Sequence, residues 1–284
     1  MKILDGKGLS KKIKNNIKEE VKIAKKKYKR APGLAVILVG EDKASEVYVN
    51  MKEKACQKAG INSKTYKLDK NISQKELIKH IDSLNENEEI DGILVQLPLP
   101  KHMDENLVNS KISPKKDIDG FHAVNTGKLF LGEKGFIPCT PKGIVRLIKE
   151  YDIKIEGKNV VVVGRSNIVG KPSAMLLLNE NATVEICHSK TRNLKEHTLK
   201  ADIIIAACGK AELIKGDMIK DNAIIIDAGT NKINGKLVGD VEYEALKDKA
   251  GFITPVPGGV GPMTIAMLLE NTLEAYYQNV VKSN

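Results

Sequence analysis

A chain of 284 residues with 46 Lys and Arg against 36 Asp and Glu carries a formal charge of +10 and is long enough for two domains, each with its own core. Its 42% hydrophobic and 29% charged content reads as globular and soluble, and no apolar run approaches the length of a membrane span. The positive charge is spread over many amphipathic stretches and only seven Tyr and four Phe could stack on bases, which favours a polyanionic small substrate or cofactor over nucleic acid.

The chain opens with Met1-Lys2-Ile3-Leu4-Asp5-Gly6, which has no apolar signal core, so export is not expected. A lysine-rich amphipathic stretch from about Gly8 to Lys29 precedes the strand Leu34 to Val39, and a helical stretch from about Ala44 to Ala59 stops at Gly60. Ser73 caps a helix over 74–84, and the strand 92–97 is cut off by Leu97-Pro98-Leu99-Pro100. After Asp117 six Gly and Pro residues between 120 and 141 read as an irregular connection between lobes.

Strand and helix signals then alternate again, with strands at 160–163, 183–187, 202–206 and 223–227. That pattern implies a parallel sheet covered by helices. Near the end, Thr254 to Pro262 forms a rigid loop poor in side chains, before an amphipathic helix from Met263 to about Tyr277. Such a loop either lets a ligand lie on bare backbone or is a tight connector. The cysteines, at 56, 139, 187 and 208, form no C-x-x-C pair; disulfides and structural zinc are not expected, and a reducing cytoplasm fits.

Several residues could carry chemistry. The stretch Asn159-Val160-Val161-Val162-Val163-Gly164-Arg165-Ser166 runs on through Ile168, Val169, Gly170 and Pro172. A buried strand here enters a glycine turn that opens a helix. Gly164 can take the turn, Gly170 can let the helix pack closely, and free N–H groups at the helix start can face a phosphate. Ser166 stands where a second fingerprint glycine would be, so an ordinary strand-to-helix turn is the alternative. The tip of the next strand, His188-Ser189-Lys190-Thr191-Arg192, holds no carboxylate. With Arg165, these hydroxyls and cations favour a 2′-phosphate, hence NADP over NAD, the alternative being a solvated basic loop.

Tyr48 and Lys52 lie four apart and share a helical face, beside an apolar stripe of Val47, Met51 and Ala55. A lysine held in that setting could serve proton transfer, or it could be one of many solvent-facing lysines. Gln96 sits at the carboxyl end of a strand, where open α/β sheets place ligand-contacting groups, and could position Lys52. Asp119 lies at the lobe junction, as a ligand group or only a turn former.

Together these segments resemble one family across essentially the whole chain, the bifunctional methylenetetrahydrofolate dehydrogenase and methenyltetrahydrofolate cyclohydrolase. The resemblance is carried by Tyr48-Val49-x-x-Lys52-x-Lys54-Ala55, by Asp91 to Pro100, by Lys116-Asp117-Ile118-Asp119-Gly120-Phe121-His122, by Pro138-Cys139-Thr140-Pro141, by Gly164 to Pro172 and by Pro257 to Thr264. Asp227-Ala228-Gly229-Thr230-Asn231 is a mild variant of the usual aspartate-valine-glycine segment.

The resemblance implies an α/β protein with an N-terminal folate-binding and catalytic domain (1–119) and a Rossmann-like NADP-binding domain (120–284). The last helix, about 263–284, packs back on the first domain, and a cleft lies between the two. It implies hydride transfer from 5,10-methylenetetrahydrofolate to NADP, then hydrolysis of the methenyl cation to 10-formyltetrahydrofolate. By position, Lys52 serves the water step, Gln96 aims it, Tyr48 packs on the folate rings and Asp119 takes two hydrogen bonds from the pterin. Leu97, Pro257, Gly258, Gly259 and Pro262 would line the folate site; Gly164, Arg165, Ser166, Ile168, Val169, Gly170, Ser189 and Thr230 would hold NADP. The resemblance further implies a cytoplasmic homodimer that serves purine biosynthesis, with no metal, nucleic-acid or membrane partner. The alternatives are an NADP-dependent dehydrogenase of another small substrate and a non-catalytic nucleotide- or RNA-binding protein.

Overall fold

The computed structural model describes residues 1–281. In chain order it has β1 (Lys2–Ile3), α1 (Gly6–Tyr28), β2 (Gly33–Val39), α2 (Lys43–Ala59), β3 (Asn62–Leu68), α3 (Gln74–Glu86), β4 (Gly92–Val95), α4 (Glu105–Asn109) and α5 (Ala123–Leu131). There follow α6 (Cys139–Glu150), β5 (Asn159–Val163), α7 (Gly170–Asn179), β6 (Thr183–Cys187), α8 (Leu194–Thr198), β7 (Ile203–Ala206) and β8 (Ile224–Asp227). The last elements are β9 (Asn231–Ile233), β10 (Lys236–Val238), α9 (Tyr243–Leu246), β11 (Phe252–Ile253) and α10 (Val260–Val280).

The elements group into two units. The first holds Lys12–Ile137 and the residues from Ile265 onward; the second holds Met1–Lys11 and Pro138–Thr264. In the first unit β2 lies between β3 and β4, all parallel. Every residue of β2 is buried, as its unbroken Leu-Ala-Val-Ile-Leu-Val run requires of a central parallel strand. Ala35, Ile37, Val39, Ile93 and Val95 pack against Leu77, Ile81 and Leu84 of α3. That helix starts with a full capping box, Ser73 and Glu76 each closing the other's free backbone N–H. The edge strand β3 has no strand signal of its own in Asn-Ser-Lys-Thr-Tyr-Lys-Leu. It forms because each of its seven residues pairs with β2, from Gly33↔Asn62 to Val39↔Leu68.

One expectation needs correction here. The stretch after Asp117 is not irregular throughout. α5 forms within it, capped by the His122 side chain at Val124 N (3.1 Å) and ended by Gly132 in the left-handed region at φ 71°. The division at 119/120 differs from the grouping observed. Residues 120–137 stay with the first unit: Asp117 holds His122 N and the Asn125 amide, and Asn271 donates to the carbonyls of Ile118 and Ile137. Met1–Lys11 join the second unit because β1 pairs with β11 (Lys2↔Phe252, Ile3↔Ile253), a two-residue match too short to carry a periodicity.

The C-terminal part of α10 is fastened to the first unit by a buried carboxylate. Asp91, fully buried, accepts from both Arg30 guanidinium nitrogens at 2.7 Å, from Gly33 N at 2.8 Å and from Asn279 Nδ2 at 3.0 Å. Arg30 lies 4.7 Å from the Tyr276 ring centroid, and the Tyr276 hydroxyl donates to the Arg30 carbonyl. Asp91→Ala strands these donors, and we expect a loss of roughly 2–4 kcal/mol, Arg30 being part-exposed. Urea unfolding checks this; a midpoint like that of wild type would contradict it.

The second unit contains a six-stranded parallel sheet in the order β1-β11-β8-β7-β5-β6. From β5 the chain moves outward to β6, then returns to lay β7 and β8 on the other side. That reversal makes the carboxyl end of β5 a topological switch point, where open sheets bind ligands. The hairpin β9–β10 turns at Asn234 and Gly235, with φ 49° and 78°, a turn that favours Asn-Gly.

Candidate active site and cofactor site

In the first unit, α2 begins where the Asp42 carboxylate accepts from Ser45 N at 2.8 Å, and ends at Gly60 with φ 79°. Its buried face is Ser45, Val49, Lys52, Cys56 and Ala59. Here the structure corrects the sequence reading. Val47 and Met51, expected to form an apolar wall beside the lysine, are 57% and 49% exposed, while Lys52 is 8% exposed. Both faces have apolar residues at helical spacing, and the sheet takes the line Val49, Cys56, Ala59, on which Lys52 also falls.

A buried lysine nitrogen needs an acceptor for its N–H groups. Lys52 Nζ donates to Gln96 Oε1 at 3.0 Å. Gln96 is placed by the end of β4, where its backbone N–H bonds to the Ile37 carbonyl (2.8 Å), and its Nε2 donates to the Leu97 carbonyl at 2.7 Å. With the amide nitrogen so engaged, the oxygen faces the lysine. Tyr48, one turn before Lys52, is 37% exposed. Cys56, one turn after, is fully buried, and burial pushes its thiol up to about 12; it fills space and is no nucleophile.

Asp119 is carried by a segment that runs beside β4. Ile93 N bonds to the Lys116 carbonyl and Ile93 bridges Asp117 in parallel register, so the chain heads toward the carboxyl end of β4. Asp117 fixes the turn by accepting from Phe121 N (3.2 Å), His122 N (2.9 Å) and Asn125 Nδ2 (2.8 Å). Burial raises the Asp117 carboxyl above its ordinary range. Asp119 is half-buried, and its carboxylate accepts no hydrogen bond from the described residues. Lys52, Gln96 and Tyr48 are thus neighbours, with Asp119 on the strip flanking β4.

The remaining expected residues lie in the second unit. Gly164 has φ 137°, and a Cβ there would collide with the Ala207 carbonyl oxygen; one on Gly170 would collide with the Gly164 carbonyl. Arg165, Ser166 and Ile168 are exposed and Val169 half-buried. The expectation of free N–H groups at the helix start is corrected in part, since Ser166 Oγ accepts from Val169 N (3.1 Å) and Gly170 N (3.2 Å). The serine at the unusual fingerprint position therefore closes the turn that leads into α7, whose N-cap residue is Val169.

Gly164 N bonds to the Cys187 carbonyl at 2.8 Å, which brings the tip of β6 alongside. There Ser189, Lys190 and Arg192 are exposed. The acidic residue of β6, Glu185, is engaged at 2.5 Å by His197 Nδ1 instead of facing the tip. The glycine cradle and a tip of hydroxyls and cations fit a dinucleotide bearing a 2′-phosphate. Glu185, Cys187 and His197 could together hold a metal, with ligand atoms within 4.8 Å of one another. The trio is internally satisfied: Glu185 takes the imidazole, and burial pushes the Cys187 thiol up to about 11. Thr230 is exposed after β8. In the loop before α10, Pro257 is exposed, Gly258 has φ 114° and Gly259 is buried. The start of α1 braces this loop, through Lys7 N to the Gly258 carbonyl (2.8 Å) and Ser10 Oγ to the Pro262 carbonyl (2.8 Å).

Sequence reasoning missed two buried carboxylates in this unit, Asp227 (3% exposed) and Asp240 (fully buried). A signal was present in the glycines beside them, Gly229 and Gly239, since a Cβ on either would strike the other segment's aspartate. Burial, reinforced by Asp240, pushes the Asp227 carboxyl from 3.8 up to about 6. The folded chain therefore holds a proton that the unfolded chain has lost between about pH 4 and 6. Asp227 contributes stability below that window, and loses up to about 3 kcal/mol of it as pH rises to 6. We expect the slope of unfolding free energy against pH in this window to be more negative in wild type than in Asp227→Asn. Equal slopes would contradict it.

Residues 4–119 match the family model described as "Tetrahydrofolate dehydrogenase/cyclohydrolase, catalytic domain", and residues 138–280 match its "NAD(P)-binding domain". The bifunctional protein FolD of Campylobacter hominis is 60% identical over 276 residues, covering 97% of each chain. The crystal structure of the bifunctional FolD enzyme of Campylobacter jejuni superposes with a TM-score of 0.97 at 51% identity, covering 98% of this chain and 99% of that one. The Trypanosoma brucei dehydrogenase-cyclohydrolase, solved with NADP and an inhibitor, gives 0.93 at 40% identity over 97% of each chain. On these matches and the folds beneath them, the chain belongs to the tetrahydrofolate dehydrogenase/cyclohydrolase family, as a bifunctional enzyme with an NAD(P)-binding domain.

Proposed function

We propose that the protein oxidises 5,10-methylenetetrahydrofolate to the methenyl compound with NADP, then hydrolyses it to 10-formyltetrahydrofolate through Lys52. The observation that carries this is the buried Lys52 Nζ held at 3.0 Å by Gln96 Oε1, at the carboxyl end of a parallel sheet. NADP supplies the hydride acceptor when bound. The chain's own residues do the rest. Asp119 takes two parallel hydrogen bonds from the pterin ring N–H and exocyclic amine, selecting that ring by its donor pair. Tyr48 offers a ring face to the folate. Water adds to the methenyl carbon as Lys52 Nζ, acting as the neutral amine, takes one of its protons; the bond to N5 then breaks as the remaining hydroxyl proton leaves and N5 is protonated, which leaves the formyl group on N10. Gln96, its amide locked by Leu97, keeps the lysine aimed at that water.

The second unit supports NADP over NAD through the exposed Ser189, Lys190, Arg192 and Arg165, with Gly164, Ser166, Ile168, Val169, Gly170 and Thr230 forming the remaining cofactor contacts. Leu97 and the loop Pro257, Gly258, Gly259, Pro262 complete the folate-binding set. On this reading the enzyme works in the cytoplasm as a homodimer, feeds formyl groups to purine synthesis, and takes no nucleic-acid or membrane partner. No helix among the described residues is long and apolar enough to cross a membrane.

The test is nicotinamide reduction by the purified protein with methylenetetrahydrofolate and either NADP or NAD. We expect kcat/KM to favour NADP, by about tenfold or more, and the preference to shrink in Arg165→Ala. Equal use of both cofactors would remove the 2′-phosphate assignment; use of neither would remove the dehydrogenase.

A further inference from the structure

On the reading that the second unit binds NADP, we propose that Asp227 and Asp240 are positioning residues for it: two buried carboxylates that hold the loops after β7 and β8, and with them the Gly164 turn, in the shape the cofactor requires. Neither side chain belongs to the set expected to touch the cofactor.

Asp240 Oδ2 accepts from Cys208 N at 2.6 Å and Gly209 N at 2.9 Å, the loop directly after β7. Its Oδ1 accepts from Asn231 Nδ2 at 2.8 Å. Asp227 Oδ1 accepts from Gly229 N and from Asp240 N, each at 2.9 Å, and its Oδ2 from Val241 N at 3.0 Å. One carboxylate thus grips the β7 loop, the other grips the β8 loop, and the Asp240 N–H ties them together. Exposed Thr230 lies between Gly229 and Asn231, each anchored to one of the pair.

The grip reaches the Gly164 turn through Ala207. Ala207 N bonds to the Val163 carbonyl at 2.8 Å, and the Ala207 carbonyl occupies the space where a Gly164 side chain would stand. Cys208 and Gly209, the next two residues, are the ones whose N–H groups Asp240 holds. A shift of that loop therefore moves the floor of the turn at the switch point of the sheet.

The pair accepts from six N–H groups, and the Cys208 thiol beside Asp240 is a donor too, which is why an acceptor-only side chain is needed at both positions. Two carboxylates buried so close together are a poor choice for stability alone, since apolar residues of similar volume often do as well or better. What they supply is a fixed loop geometry. Electrostatics alone would leave affinity for an anionic cofactor unchanged, or improve it, when a buried negative charge is removed.

The experiment uses the full chain as wild type, Asp240→Ala, Asp240→Asn and Asn231→Ala. Calorimetry reads NADP affinity, amide exchange reads segments 205–212 and 227–233, and hydrolysis of added methenyltetrahydrofolate is followed without NADP. We expect the Kd for NADP to rise about tenfold in Asp240→Ala, equivalent to 1.4 kcal/mol, with faster exchange in both segments and a far smaller change in methenyl hydrolysis. Asp240→Asn, which can keep its oxygen toward Cys208 and Gly209, should recover part of the affinity. If Asp240→Ala does not fold, Asn231→Ala must show the same direction of change. A folded Asp240→Ala, or failing that Asn231→Ala, that binds NADP as wild type does overturns the positioning role alone. A wild type that binds no NADP overturns the cofactor assignment and this role together.

Discussion

Lys52→Met is expected to lose methenyl hydrolysis by about 10²–10⁴-fold, the range typical of a removed general acid–base group, while nicotinamide reduction falls far less. The two steps separate because hydride transfer moves no proton through the lysine, whereas attack of water does. Methionine nearly matches the volume of the lysine stem and removes the amine of a side chain whose residue is 8% exposed. It leaves Gln96 Oε1 without its 3.0 Å donor, but Gln96 is half-buried and water can replace the bond. The folding cost should therefore stay within about 1.5 kcal/mol. Parallel assays of methenyl decay and nicotinamide reduction, with a thermal melt as control, check this. Equal loss of both activities in a folded variant would mean that Lys52 holds substrate instead of moving its proton.

Asp119→Ala should behave differently. If its carboxylate takes two hydrogen bonds from the pterin, both reactions lose the same substrate contact, and kcat/KM should fall in each by about 10²-fold, at roughly 1.5 kcal/mol for each charge-assisted bond. The fold should survive, because the turn is held by Asp117, through Phe121 N, His122 N and Asn125, and not by Asp119. Asp119→Asn should lose nearly as much, since an amide can meet only one of two parallel donors with its oxygen. Steady-state kinetics of both steps decide it. A fall confined to one activity would remove Asp119 from the pterin and make it a group acting on that step alone.

The parallel strands of both units were legible because a strand buried on both faces reads as a continuous apolar run, as in Leu34 to Val39 and Val160 to Val163. The elements that escaped lack that property. β3 is polar and exists only through its pairing with β2, and β1 and β11 contribute two residues each to the edge of the second sheet. The pairing of Gln96 with Lys52 was legible from the end of a strand and a lysine on α2. Which face of α2 turned inward was not, because Val47–Met51 and Val49–Cys56 offer equally good helical stripes until a sheet selects one. Ser166 looked like a defect in a glycine fingerprint, and only the two N–H groups its hydroxyl accepts from explain it. The pairing of Asp227 with Asp240 was invisible for a plainer reason. Thirteen residues apart, on either side of an exposed hairpin, they become partners only once the β7 and β8 loops close around them.

The central claim is that one chain carries out oxidation and then hydrolysis, the second through Lys52. It is tested most directly by mixing methylenetetrahydrofolate and NADP with wild type or with Lys52→Met, and following reduced cofactor and methenyl compound in the same time course. The account predicts that wild type forms reduced cofactor with little methenyl in transit, while the variant forms reduced cofactor and accumulates methenyl until it decays at the buffer rate. Methenyl that accumulates equally in both would contradict it.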